Sequence, residues 1–241
     1  MKNILTVALL LSGSVTLAQT GKLRTMTGAE ATKMLPKITD SKYYDREGHV
    51  IDSAKARQMI KSFDYETWGA IPAGQTEYKN VLVKVNHAQQ DKKDAGFRLF
   101  SRPKNPKLWD GATLDLTPIA KHTDVSKLDG KAIVLLFWNG APGYKYMYDN
   151  INEIVSNYIA GNKFEVFAIT HLDYESAKNN QKNNPIMNAY HIVDAGDITD
   201  FYDTEHKALI VVTNAQHQIT YAAQNAPEML PRTLNKLLKG L

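Results

Sequence analysis

The chain has 241 residues, 43% hydrophobic and 22% charged, with a formal net charge of +4 and no cysteine. That is enough apolar material for a packed core in one large or two small domains, and the small, scattered positive balance excludes a nucleic-acid partner. Zero cysteine excludes disulfides, thiolate catalysis, Cys-based zinc sites, haem attachment through CxxCH and lipid attachment to an N-terminal cysteine.

Residues 1–18, MKNILTVALLLSGSVTLA, place Lys2 before an apolar run that ends in small residues at Ala18. This is the order of a secretory signal peptide, too short to span a bilayer comfortably. The expected mature chain starts at Gln19, lies in the periplasm or outside the cell, and has no transmembrane segment.

Residues 19–107 read as a small α+β region. Thr27-Gly28-Ala29-Glu30 has capping-box spacing before Met34-Leu35 and predicts a short helix. The turn Asp45-Arg46-Glu47-Gly48 separates two short strand candidates. Ala56, Met59, Ile60 and Phe63 fall on one helical face after the cap candidate Asp52. Val81, Val83 and Val85 alternate as in a strand, and the polar HAQQDKKDAG followed by GFRLF predicts a long-looped hairpin. Ser101-Arg102-Pro103-Lys104-Asn105-Pro106 reads as a linker.

Residues 108–241 are patterned more strongly. Ala132–Trp138 is a continuous apolar run, as in a strand buried on both faces. A Gly-Ala-Pro-Gly turn follows, then a helical stripe of Met147, Ile151, Ile154, Val155 and Tyr158, with Gly161 as its stop. Phe164–Thr170 predicts a second buried strand, Tyr174 to Lys182 a polar helix, and Ala189–Val193 a short strand. Ala208–Thr213 and Gln218–Ala222 flank a turn as a hairpin, and Leu230, Leu234, Leu237 and Leu238 mark a terminal helix.

The stretch LDGKAIVLLFW, then a helix, FEVFAIT and ALIVVTNAQHQITYAA, resembles the thioredoxin-like superfamily. More narrowly it resembles the TlpA-like and AhpC/TSA-type periplasmic branch, in which a GK-apolar-FW strand leads into the redox turn. The resemblance covers residues 108–241 and implies an α/β fold with a central mixed sheet flanked by helices. It also implies a W-C-x-x-C turn and, opposite it, a cis-proline. This chain has neither. Aligning Pro142 with the proline of the motif puts Gly140 and Gly143 at the thiol positions, whereas an ungapped alignment puts Pro142 and Lys145 there. The cis-proline position falls near Lys207.

Seven histidines, His49, His87, His122, His171, His191, His206 and His217, are candidate metal ligands, and His171-Leu172-Asp173 is the best local pair. HxD is a weak signal, surface and capping roles account for it, and no metal or other cofactor is expected. Glu205-His206 does not read as an acid–base pair, because adjacent side chains on an extended segment point apart. Tyr144 and Tyr148 share a helical face after the turn, and such aromatics are more often core than binding surface.

Two functions follow. One is a redox-inactive thioredoxin-fold binding module of the cell envelope. Its recess would be formed by Trp138, Pro142, Tyr144 and Lys207, and its partner would be an envelope protein or a small anionic ligand. The other is an oxidoreductase with a redox group other than cysteine, since thiol–disulfide exchange requires a thiolate. A lost redox site that has simply filled in is the bland alternative.

Overall fold

A computed structural model describes residues 38, 40–140, 145–224 and 230–241. The expected signal peptide, the expected capping box at Thr27, and Pro142, Gly143 and Tyr144 lie outside the described residues. The described residues form two compact units, divided between Lys92 and Lys93.

In the first unit, β1 (Tyr43–Tyr44) and β2 (Val50–Ile51) pair antiparallel across the expected Asp45–Gly48 turn. Gly48 has φ +91°, and a Cβ there would come within 2.7 Å of the Ala73 carbonyl oxygen, so only glycine fits. Helix α1 (Ser53–Lys61) begins where the cap predicts: the Asp52 carboxylate accepts from the N–H groups of Ala54 and Lys55. Strands β3 (Tyr65–Ala70) and β4 (Lys79–Lys84) complete a four-stranded sheet in the order β2-β1-β4-β3.

The expected hairpin from Val81 to Phe100 is not formed. Helix α2 (His87–Ser101) replaces both its loop and its second strand. Ala88, Gln89, Gln90, Lys92, Lys93, Ala95, Arg98 and Leu99 are good helix formers and outnumber the weaker Asp91, Asp94 and Gly96. The apolar residues of GFRLF suggested a strand but do not face a core, and Phe100 is 91% exposed. The helical face Asp94–Arg98 is instead tied down by ion pairs of Asp94 with Arg232 (2.7 Å) and of Arg98 with Asp110. The proline-bearing stretch that follows lies within the second unit: the Trp109 indole N–H donates to the Pro103 carbonyl (2.9 Å), and Asn105 Nδ2 donates to the Tyr202 carbonyl (3.1 Å).

The second unit is built on β5 (Ala132–Phe137), every residue of which is buried. With β6 (Phe164–Ile169), β7 (Tyr190–Ile192), β8 (Leu209–Thr213) and β9 (Ile219–Gln224) it forms a sheet in the order β7-β6-β5-β8-β9. Strands β5, β6 and β7 run parallel, while β8 is antiparallel to both β5 and β9. The apolar run therefore occupies the centre of the sheet, as its lack of alternation requires.

Alternation along β5 sends Ile133, Leu135 and Phe137 into a cluster with Ile119, Leu128, Ile198 and Tyr202. The last two belong to and follow α5 (Gly196–Phe201), a short helix that the sequence reading missed. Val134, Leu136 and Trp138 point to the other face. Helices α3 (Lys145–Tyr158) and α6 (Leu230–Lys239) pack together there and bury Met147, Ile151, Ile154, Val155, Leu234 and Leu238. The stop after α3 is not Gly161, which ends a 3-10 turn, but Asn162 in the left-handed region at φ 51°. Asparagine tolerates that conformation because its short amide bonds locally.

Helix α4 (Tyr174–Asn183) starts at the cap Asp173. The chain after it is clasped by the buried Asn152 of α3: Nδ2 donates to the Pro185 carbonyl and Oδ1 accepts from the Met187 N–H, both at 2.7 Å. Asn152→Ala should lower stability by about 1–3 kcal/mol, because both backbone groups lose their partner. Urea denaturation would check this, and an unchanged midpoint would show that water replaces the amide.

Candidate functional site at the carboxyl end of the central strands

The site is assembled where β5 and β6 end and the loop into β8 begins. Beyond β5 the chain runs through Trp138, whose N–H still donates to the Ile169 carbonyl (3.0 Å), and then through Asn139 to Gly140. Trp138 is 2% exposed and its indole N–H is buried without a hydrogen-bond partner among the described residues. This corrects the expectation that Trp138 rims a recess: alternation along the strand turns its ring beneath the sheet face, so it supports the turn and presents no surface to a ligand.

Gly140 is closely fitted by its neighbours. Its φ is +75°, and an added Cβ would lie 2.7 Å from Asn180 Nδ2 and 3.2 Å from Leu172 Cδ1. The same Asn180 amide donates to the Gly140 carbonyl at 2.8 Å. In this chain the position is shaped for glycine, so a thiol-bearing residue placed at Gly140 would clash. Among the described residues, the buried Asn180 Oδ1 beside this contact has no hydrogen-bond partner.

From β6, the buried Thr170 leads into His171. The segment is held firmly: Thr170 donates its N–H to Ile192 and accepts from Ala195 at its carbonyl, while Leu172 accepts from the Asp194 N–H. Asp173 serves as the α4 cap, bonding the N–H and hydroxyl of Ser176. It is therefore engaged as the structural reading of HxD expects. Hydrogen bonding from Ser176 holds its carboxyl below the usual carboxylate range.

The loop before β8 has an unusual backbone. Asp203, Glu205 and His206 all have left-handed φ, at 51°, 50° and 54°. Non-glycine residues are uncommon there, and runs of them persist only where surrounding bonds hold the chain. Here Thr204 donates to Thr199, Lys207 donates to Thr204, Gln224 Nε2 donates to the Thr204 carbonyl (2.9 Å), and Asn139 Nδ2 donates to the His206 carbonyl (3.2 Å). That last bond ties the loop directly to the end of β5.

Two groupings result. Glu205 accepts from both Lys104 and Lys207, whose ammonium groups push its carboxyl down to about 2. Two cations on one carboxylate leave the cluster positive, and the Lys207 charge is engaged by Glu205. The second grouping is the His171 ring against the His206 ring, with centroids 4.3 Å apart and planes tilted by 45°. Burial, reinforced by the neighbouring imidazole, holds His171 below its ordinary pKa. The sequence reading weighed these two histidines separately. They meet only because β6 and the β8 loop are brought together across β5. Among the described residues no group of three or more His, Asp or Glu side chains is arranged to hold a metal ion.

The strand order, the helices on both faces and the terminal hairpin and helix make the second unit a thioredoxin-like α/β fold. No protein-family model and no curated protein matches the chain. Among solved structures, it is similar to a PrxQ mutant from Xylella fastidiosa, at 15% identity and a TM-score of 0.45, covering 55% of this chain and 97% of that one. It is also similar to a secreted Mycobacterium tuberculosis disulfide oxidoreductase homologous to E. coli DsbE (20%, TM-score 0.42, 49% of this chain and 88% of that one). A putative thiol:disulfide interchange protein DsbE from Chlorobium tepidum is a further match (15%, TM-score 0.41, 48% and 84%). No helix among the described residues is long and apolar enough to cross a membrane.

Proposed function

We propose that this chain is an exported, redox-inactive thioredoxin-fold protein of the TlpA-like and AhpC/TSA-type branch, acting as a binding module in the cell envelope. One observation carries the reading: the strand that leads to the redox turn in that branch is intact and central, yet the chain has no cysteine anywhere. Thiol–disulfide exchange needs an attacking thiolate, and this chain has no cysteine to supply one. The cationic Lys104–Glu205–Lys207 cluster at the loop before β8 suits a carboxylate or other small anion, or an acidic segment of an envelope protein.

The binding reading is tested by quantitative capture from envelope extract with the wild-type chain, Lys207→Ala and Tyr144→Ala. Partners retained by the wild type and lost by both variants support it; identical capture by all three refutes this location. Trp138→Ala is not a useful probe, since removing a fully buried indole disturbs the fold. Export has its own check. N-terminal sequencing of protein from the natural host should find Gln19, and an intact Met1 in the bulk of the protein would overturn it.

A further inference from the structure

We propose that His171 and His206 together form a two-imidazole site for a late first-row divalent cation, with Cu²⁺ the tightest binder. The inference stands on the contact between the two rings and goes beyond the binding-module reading, which neither requires a metal nor supplies one.

The first support is distance. A metal about 2.0–2.1 Å from one nitrogen of each ring, with the two bonds about 90–110° apart, places the ring centroids about 4.5–5.2 Å apart. The observed 4.3 Å is within a few tenths of an ångström of that range, and the tilt between the planes leaves the rings splayed, not stacked flat. The second is availability. Four of the other histidines are hydrogen-bonded, His49 with Asp45, His87 with Asp64, His191 with the Ile186 carbonyl and His217 with the Leu128 carbonyl, and His122 Nε2 faces the Asp197 carboxylate at 3.6 Å. The His171 and His206 rings make contact with each other and have no hydrogen bond to the described residues, and His206 is exposed and His171 half-buried.

The third support is preorganisation. His171 lies on a segment pinned by Asp194 and Ala195, and His206 on a left-handed loop tied to Asn139. Holding two ligands in place before binding removes the ordering cost that a flexible pair would meet. Imidazole suits Zn, Ni and Cu, and at equal ligands affinity rises to Cu²⁺. Two protein donors leave the remaining coordination positions to water or to an anionic donor from a partner. Glu205 does not complete the set, because Lys104 and Lys207 engage its carboxylate.

The test uses the full chain, stripped with chelator and titrated with CuCl₂ under calorimetry and electron paramagnetic resonance. One Cu²⁺ should bind per chain with hyperfine structure from two imidazole nitrogens. His171→Gln and His206→Asn should each weaken binding by about tenfold or more, as loss of one of two protein donors does. Asparagine is chosen at 206 because it tolerates positive φ. His49→Ala and His87→Ala should leave the affinity unchanged. In the unsubstituted chain, ZnCl₂ should shift the ring proton signals of His171 and His206 together and leave those of the other five histidines in place, a readout that needs no variant to fold. Binding that survives both substitutions, binding lost instead with His49 or His87, or no shift of the two rings with Zn²⁺, would overturn the proposal.

Discussion

Ile151→Ala should destabilise the protein by about 2–5 kcal/mol, the range for a buried large-to-small change. Ile151 is 1% exposed, on the α3 face whose neighbours Met147, Ile154 and Val155 are also buried. Deleting three carbons there removes apolar contact and leaves a cavity that a helix held on both sides collapses only in part. The effect should appear in guanidinium denaturation followed by circular dichroism as a lower midpoint with an unchanged slope. A loss below about 0.5 kcal/mol would be surface behaviour and would show that the α3 stripe does not cover the sheet.

Gly140→Ala should cost about 2–3 kcal/mol, from two separable sources. A left-handed backbone costs a residue with a Cβ about 1–2 kcal/mol. The new Cβ also meets Asn180 Nδ2 at 2.7 Å, so the amide must move and give up its hydrogen bond to the Gly140 carbonyl, worth about 0.5–1.5 kcal/mol. A double-mutant cycle tells them apart. In an Asn180→Ala background the closest clash is already relieved, leaving Leu172 Cδ1 at 3.2 Å, which a small side-chain shift accommodates, and Gly140→Ala should then cost mainly the backbone part, about 1–2 kcal/mol. Equal costs in both backgrounds would show that Asn180 does not limit the turn. No measurable cost in either would mean that position 140 tolerates a side chain, which would reopen it as a thiol position.

These two residues also show what the sequence made readable. Ile151 was placed correctly because helical periodicity reports a buried face directly. β5 was placed because a run without alternation has to be buried on both sides, and Asp52 because a cap acts within a few residues of itself. Each of these signals is local.

The misses depend on contacts between distant residues. α2 was read as a hairpin because Phe97, Leu99 and Phe100 were assumed to seek a core. Helix propensity and the Asp94 and Arg98 ion pairs decide that segment instead. β3 escaped notice because Glu66 and Trp68 both face outward, so hydrophobicity does not alternate along YETWGA. At the site, the left-handed run through Glu205 and His206 has no glycine to announce it. The contact between His171 and His206 exists only after the sheet has formed, and Trp138 was assigned to a rim because the sequence does not say which face of a strand's last residue is open.

The central claim, a thioredoxin-like scaffold that works without thiol chemistry, is tested most directly by a disulfide-reduction assay on the purified chain. Insulin reduction with dithiothreitol would be followed with and without Zn²⁺ or Cu²⁺, each metal alone serving as the blank. The account predicts a rate equal to the blank in every case. Catalytic turnover above the blank, with or without a metal, would contradict it and show that this chain performs redox chemistry through some other group.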